Sequence, residues 1–196
     1  MTSIVASAIQ AQRMLTIEGR PYITVLGDTL RGFITAQLMT KLNATVRLIG
    51  WSADRLALAE RWGVKHRHAD DIGRRSDQDV VVECTGRVES LMLALALVRP
   101  QGRIVLQLPT SEPFSPEMTH RLVASELRLI GASHGPLQDA VKAILQQQVD
   151  LSNLVGRPLS LSDGAAIMDP RSDDGRGVLV DPAEKGDRVT GSTTHS

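Results

Sequence analysis

Tyr22-Ile23-Thr24-Val25-Leu26-Gly27-Asp28-Thr29-Leu30-Arg31-Gly32-Phe33-Ile34-Thr35-Ala36-Gln37-Leu38-Met39 decides the fold of this chain. Residues 23–26 are apolar and β-prone. A turn carrying Gly27 and Gly32 follows, and then a helical stretch from about residue 32 to 42. Strand, glycine turn and helix in this order open a βαβ unit of the dinucleotide-binding kind. The glycines have a physical purpose. Without a Cβ the backbone turns tightly and comes close to a ligand, and the helix N-terminus behind it favours a phosphate.

Working outward, the same alternation continues. A lead-in helix is expected around Ile4, Val5, Ala8, Ile9, Met14 and Leu15, broken by Gly19-Arg20-Pro21. Strands are expected at 45–49, 64–68, 79–84, 103–108 and 127–132. Helices are expected at 54–62, 88–98, 117–125 and 136–147, and 71–78 reads as a loop or one turn. The run Asp79-Val80-Val81-Val82-Glu83-Cys84 lacks alternation, as a parallel strand buried on both faces does. Strands alternating with helices argue an α/β fold: a doubly wound, six-stranded parallel sheet, with a short C-terminal appendage. The implied organisation is a lead-in helix over 1–20, the nucleotide-binding domain over 21–150, an appendage over 151–182 and a disordered tail over 183–196. Within the appendage 159–161, 165–168 and 178–180 read as short elements.

Composition narrows the classes of function. Lys plus Arg equals Asp plus Glu at 22 each, so no net charge steers the chain to nucleic acid or an anionic membrane. The arginine excess over lysine reads as compositional. A single cysteine, Cys84, excludes an internal disulfide and a cysteine-rich zinc site. No run approaches the roughly 18 apolar residues of a membrane span, and the N-terminal stretch lacks a basic leader. The cytoplasm is the expected compartment.

Four segments, in order, resemble the medium-chain dehydrogenase/reductase family of the zinc-dependent alcohol dehydrogenase type. They are Val25-Leu26-Gly27-Asp28, Arg55-Leu56-Ala57-Leu58-Ala59-Glu60-Arg61-Trp62-Gly63-Val64, Asp79-Val80-Val81-Val82-Glu83-Cys84-Thr85-Gly86 and Leu97-Val98-Arg99-Pro100-Gln101-Gly102-Arg103-Ile104-Val105. The likeness runs from Ala6 to Asp181. It implies a Rossmann fold and a cofactor of the NAD or NADP type. It also implies that the catalytic domain of such enzymes, with its zinc ligands and substrate pocket, lies outside this chain, so no zinc and no catalytic residue are expected here.

The residues matching the family's cofactor seat are Gly27, Thr29, Leu30, Arg31 and Gly32 at the turn, Gly50, Trp51 and Arg55 after the second strand, and Cys84, Thr85 and Gly86 after the fourth. Two depart from the pattern. Thr29 replaces the middle glycine, whose bare backbone meets the pyrophosphate, so weak binding is expected. Gly50-Trp51 replaces the acid that bonds the adenosine ribose of NAD. Trp51 stands where it can stack on adenine or cover an emptied pocket. Arg55 can reach a 2′-phosphate or face water.

Other candidates have ordinary explanations. His66-x-His68 with Asp70 and Asp71 has metal-like spacing but lacks a third fixed ligand. Ser133-His134 has no acid to orient the imidazole. Cys84 has no partner to make a thiolate, and Glu83 is expected at a sheet edge or a helix end.

The sequence thus implies a stand-alone nucleotide-binding domain like that of an NAD(P)-dependent alcohol dehydrogenase. The alternatives are a dimerisation or sensing module that has lost its cofactor, and one half of a split oxidoreductase. Expected partners are a second copy, paired through the edge strand from Leu127 to Ala132, or a separate catalytic chain. Apolar surface is expected on the lead-in helix around Ile4, Val5 and Ile9.

Overall fold

The computed structural model describes residues 1–73, 75–110, 112–154, 159–160 and 180–181. One compact unit spans Met1–Leu151. It begins with helix α1 (Thr2–Arg13), strand β1 (Tyr22–Leu26), helix α2 (Leu30–Met39), strand β2 (Thr45–Gly50) and helix α3 (Ala53–Leu56). Strand β3 (Lys65–His68), strand β4 (Gln78–Glu83) and helix α4 (Val88–Leu97) follow. Strand β5 (Val98–Leu106), helix α5 (Pro116–Ala124), strand β6 (Arg128–Gly131) and helix α6 (Leu137–Leu145) complete it.

The six strands form one sheet in the order β3-β2-β1-β4-β5-β6, every pair parallel. This is the Rossmann order, and the switch point lies between β1 and β4. Those inner strands are apolar on both sides, as their neighbours require: Ile23, Val25, Leu26, Val81 and Val82 are fully buried. Alternation sends Leu26, Ile49, Val81 and Ile104 into a cluster with Leu91, Leu95 and Leu97 of α4 and Met118 of α5. The opposite side receives α2, with α1 packed on α2 and on α6. No helix among the described residues is long and apolar enough to cross a membrane.

Several boundaries differ from the sequence expectation for identifiable reasons. The helix expected at 54–62 is one α turn, Ala53–Leu56, continued as a 3₁₀ helix, Ala57–Trp62. Gly63 ends it in the left-handed conformation at φ 65°. Here tertiary contacts fix the chain: the Trp62 ring packs on Phe33 at 5.6 Å, and its Nε1 donates to Asp150 Oδ2 at 2.9 Å. The strand expected at 103–108 starts five residues early, at Val98, because the ladder shifts register around Asp79 and absorbs Pro100 there. The strand expected at 79–84 occupies Gln78–Glu83, leaving Cys84 outside. The helix expected at 32–42 starts earlier and ends earlier, at Leu30–Met39, because Thr29 caps it. The strand expected at 127–132 is Arg128–Gly131, since the Leu127 amide closes back onto Leu122. The stretch after β3 forms a 3₁₀ turn, Ala69–Asp71, and then a loop.

The apolar face expected to be open on the lead-in helix is covered. Val5 and Ala8 are fully buried and Ile9 is 8% exposed. Gly135 permits this approach, because a Cβ there would stand 2.0 Å from the Ala6 carbonyl oxygen.

A second unit spans Ser152–Ser196. Its described strands, β7 (Leu159–Ser160) and β8 (Val180–Asp181), pair in parallel. The element expected at 165–168 and the tail at 183–196 lie outside the described residues.

Candidate functional site

The C-terminal ends of β1, β2, β4 and β5 converge around the turn after β1. Gly27 has φ 122° and donates its amide to the Ile49 carbonyl at 2.8 Å. Gly32 must be glycine, because a Cβ would stand 1.8 Å from the Gly27 carbonyl oxygen. Between them Thr29 lies in extended conformation, φ −103°, and acts as the N-cap of α2. Its Oγ1 accepts from the Gly32 amide at 3.3 Å, and its carbonyl accepts from Phe33 at 2.9 Å. The Leu30 and Arg31 amides, in the first turn, have no acceptor within the helix. They are the donors that the helix end offers to an anion.

Asp28 supplies what the second strand lacks. Its Oδ2 accepts from the amides of Trp51 at 3.0 Å and Ser52 at 2.7 Å. An acid therefore does stand at the end of β2, but it comes from the glycine turn and is committed to backbone. Gly50 makes room for it: a Cβ there would meet Asp28 Cβ at 2.5 Å. Ser52 then caps α3 through its Oγ, which accepts from the Arg55 amide at 3.4 Å. Trp51 is half-buried, and His68 Nε2 donates to its carbonyl at 2.8 Å. That bond places the neutral imidazole proton on Nε2, and Nδ1 accepts from the Asp70 amide at 3.3 Å. Both nitrogens of His68 are thereby used. Among the described residues no group of three His, Cys, Asp or Glu could hold a metal ion.

Glu83 is neither at an edge nor at a helix end. It is fully buried, and its carboxylate gathers the loop after β4. Oε1 accepts from the Thr85 amide at 2.7 Å and the Thr85 hydroxyl at 2.6 Å, while Oε2 accepts from the Gly86 amide at 3.0 Å. Charge-assisted bonds of this kind justify burying a carboxylate. They hold Gly86 at φ 70°, in a corner where a Cβ would stand 2.9 Å from the Pro109 carbonyl oxygen. Cys84 beside it is buried. Burial pushes its thiol up and Glu83 pushes it further, against smaller opposing effects of Thr35 and Arg31. It is a packing residue with no thiolate character.

Two further features were not anticipated from sequence. Thr35 donates to Gln107 Oε1 at 3.1 Å, joining α2 to the end of β5. Gln107 is fully buried, and its Nε2 has no partner among the described residues. The signal was available, since both are polar residues inside apolar runs. Arg31 Nη1 donates to Ser7 Oγ at 2.9 Å, and Ser7 Oγ donates to the Ala132 carbonyl at 2.9 Å. The structure thus brings Gly27, Thr29, Leu30, Arg31, Gly32, Gly50, Trp51, Cys84, Thr85 and Gly86 to one end of the sheet. Arg55 is the third residue of α3 and forms no ion pair among the described residues, and Ser133 and His134 are both exposed after β6.

No family model matches the sequence. Solved structures with the same architecture are dehydrogenases. A Sinorhizobium meliloti protein assigned as a zinc-binding dehydrogenase and solved with NADP aligns with TM-score 0.80 and 24% identity, over 92% of this chain and 58% of that one. The fold is shared. L-idonate 5-dehydrogenase of Escherichia coli aligns with TM-score 0.79 and 16% identity, over 91% of this chain and 55% of its own. TarJ of S. aureus in complex with NADPH gives 0.77 and 22%, over 91% and 62%. The chain therefore spans little more than half the length of these proteins, and at such identities the likeness establishes the fold alone.

Proposed function

We propose that this chain is a dinucleotide-binding domain that takes a nicotinamide cofactor, NAD or NADP, and is not catalytic alone. The observation that carries this reading is the turn after β1. It presents the Leu30 and Arg31 amides at a helix N-terminus, on a backbone kept bare by Gly27 and Gly32. The surroundings fit the rest of a dinucleotide. The end of β2 with Trp51 and Arg55 borders the adenosine side. The loop 84–86, braced by Glu83, borders the ribose. Gln107 Nε2, without a partner among the described residues, is a buried donor just beyond the C-terminal end of β5. NADP and NADPH in two of the similar structures support the same class of ligand.

When bound, such a cofactor supplies a hydride acceptor or donor. This chain's residues bind and orient it. Substrate positioning and proton transfer need further groups, and we assign them to another domain or chain rather than to Cys84 or Ser133-His134. We also assign no zinc to these residues; metal analysis finding one tightly bound zinc per chain would refute that.

A thermal-shift titration with NAD, NADH, NADP and NADPH tests the proposal. Binding to the native state alone adds about 2.7 kcal/mol at a hundred times Kd, so melting should rise with ligand concentration. A flat response to all four would favour the second reading, a module whose seat is closed by Thr29.

A further inference from the structure

The sheet carries a second concave region, at the end opposite the glycine turn. A cavity of about 800 Å³ lies at the N-terminal ends of β1 to β4, and a smaller one of about 230 Å³ lies beside it. Arg47, Arg67 and Asp77 line both. Register explains the clustering. Arg47 on β2 pairs with Lys65 on β3, and Arg67 follows two residues along β3. Alternation sends all three side chains to one face of the sheet. Over this part the described crossover from β3 to β4 is the 3₁₀ turn Ala69–Asp71 and the following loop, from which Arg75 lines the smaller cavity.

The charges here are unbalanced. Among the described residues none of Arg47, Lys65, Arg67 and Arg75 forms an ion pair, whereas Arg13, Arg87 and Arg99 each hold a carboxylate. Glu60, at the rim of the larger cavity, faces His66 at 3.8 Å instead. Arg47 is the deepest cation. Its Nε is buried without a partner among the described residues, and its Nη2 reaches Thr24 Oγ1 only at 3.5 Å. That hydroxyl's hydrogen already goes to Gln78 Oε1 at 2.6 Å. Gln78 Nε2 in turn donates to Asp77 Oδ1 at 2.6 Å, so the carboxylate that lines both cavities is partly engaged. Burial pushes the Arg47 guanidinium down, Asp77 lifts it and Arg67 lowers it.

The geometry points to a second ligand site in this region, for the phosphate monoester of a small organic molecule. Arg47, Arg67 and Arg75 all line one small cavity, and guanidinium forks match a phosphoryl dianion in shape and charge. The larger cavity takes the organic body against Val64 and Tyr22, an aromatic residue left 55% exposed at its mouth. Because this site and the Leu30 and Arg31 amides occupy opposite ends of the strands, it does not rest on the dinucleotide reading.

Backbone-amide NMR of the full chain, titrated with phenyl phosphate at constant ionic strength, tests it. The expected result is saturating shifts at Tyr22, Arg47, residues 65–67 and residues 75–77, with inorganic phosphate binding more weakly. Arg67→Gln and Arg75→Gln remove exposed side chains and leave the fold intact; each should weaken phenyl phosphate about tenfold. Non-saturating shifts, shifts confined to Leu30 and Arg31, or unchanged affinity in both variants would overturn the site. Equal affinity for phenyl phosphate and inorganic phosphate would overturn the place of the organic body.

Discussion

Asp28 Oδ2 lies 2.7 Å from the Ser52 amide nitrogen and 3.0 Å from that of Trp51, so one carboxylate fastens the turn after β1 to the end of β2. Hydrogen bonds to a charged group contribute about 1.5–3 kcal/mol each. Asp28→Ala should therefore destabilise the fold by about 2–4 kcal/mol in urea unfolding. Gly50→Ala should cost about 1–3 kcal/mol through its contact with the same side chain. Wild-type stability in both variants would show that the bond is incidental.

Asp79 gives a pH dependence of known sign. Burial alone would raise its carboxyl, but the Tyr22 amide and the Arg99 guanidinium outweigh it and hold the group below the ordinary carboxylate range. A depressed folded-state pKa stabilises above the unfolded value, about 3.9, and that contribution disappears as pH falls through the folded value. Stability should fall as the solution is acidified from pH 5, and Asp79→Asn should flatten that part of the curve. An identical profile in the variant would refute the assignment.

Thr29→Gly should tighten dinucleotide binding, because it removes the side chain that stands where the backbone meets the pyrophosphate. Thr29 is also the cap of α2, at a φ that suits any L residue. Losing the cap and adding backbone freedom should together cost about 1 kcal/mol. Calorimetry showing the wild type as the tighter binder would count against this.

The strand β6 ends the sheet, with Leu129 38% exposed. An edge strand with an exposed apolar side chain can pair with a second copy. Light scattering at micromolar concentration should give a dimer, reduced to a monomer by Leu129→Lys. A monomeric mass in both would remove the idea.

The glycine turn was legible in the sequence because Gly27 and Gly32 answer to local backbone geometry. The six parallel strands were legible because buried strands are continuously apolar. Asp28, Glu83 and Gln107 were not, although each stood out as polar beside an apolar run. Asp28 and Gln107 find their partners, two amides and a hydroxyl, only when distant segments meet, and sequence spacing carries no trace of that. Glu83 bonds its own following loop, two and three residues on, in a turn that composition alone does not reveal. Pro100 misled for a related reason. Its missing donor argues against a strand, and only the register shift facing it allows β5 to include it.

The Arg31–Ser7–Ala132 chain has a polarity. Ser7 has one hydroxyl hydrogen, and it points at the Ala132 carbonyl, which leaves the oxygen lone pairs for Arg31. The bond to Ala132 fixes the serine rotor, and the fixed rotor presents its lone pairs to the guanidinium. α1 therefore works as a splint across the first turn of α2. A tug on that helix is delivered to the Arg31 side chain, and so to the residue whose amide is one of the free donors at the start of α2.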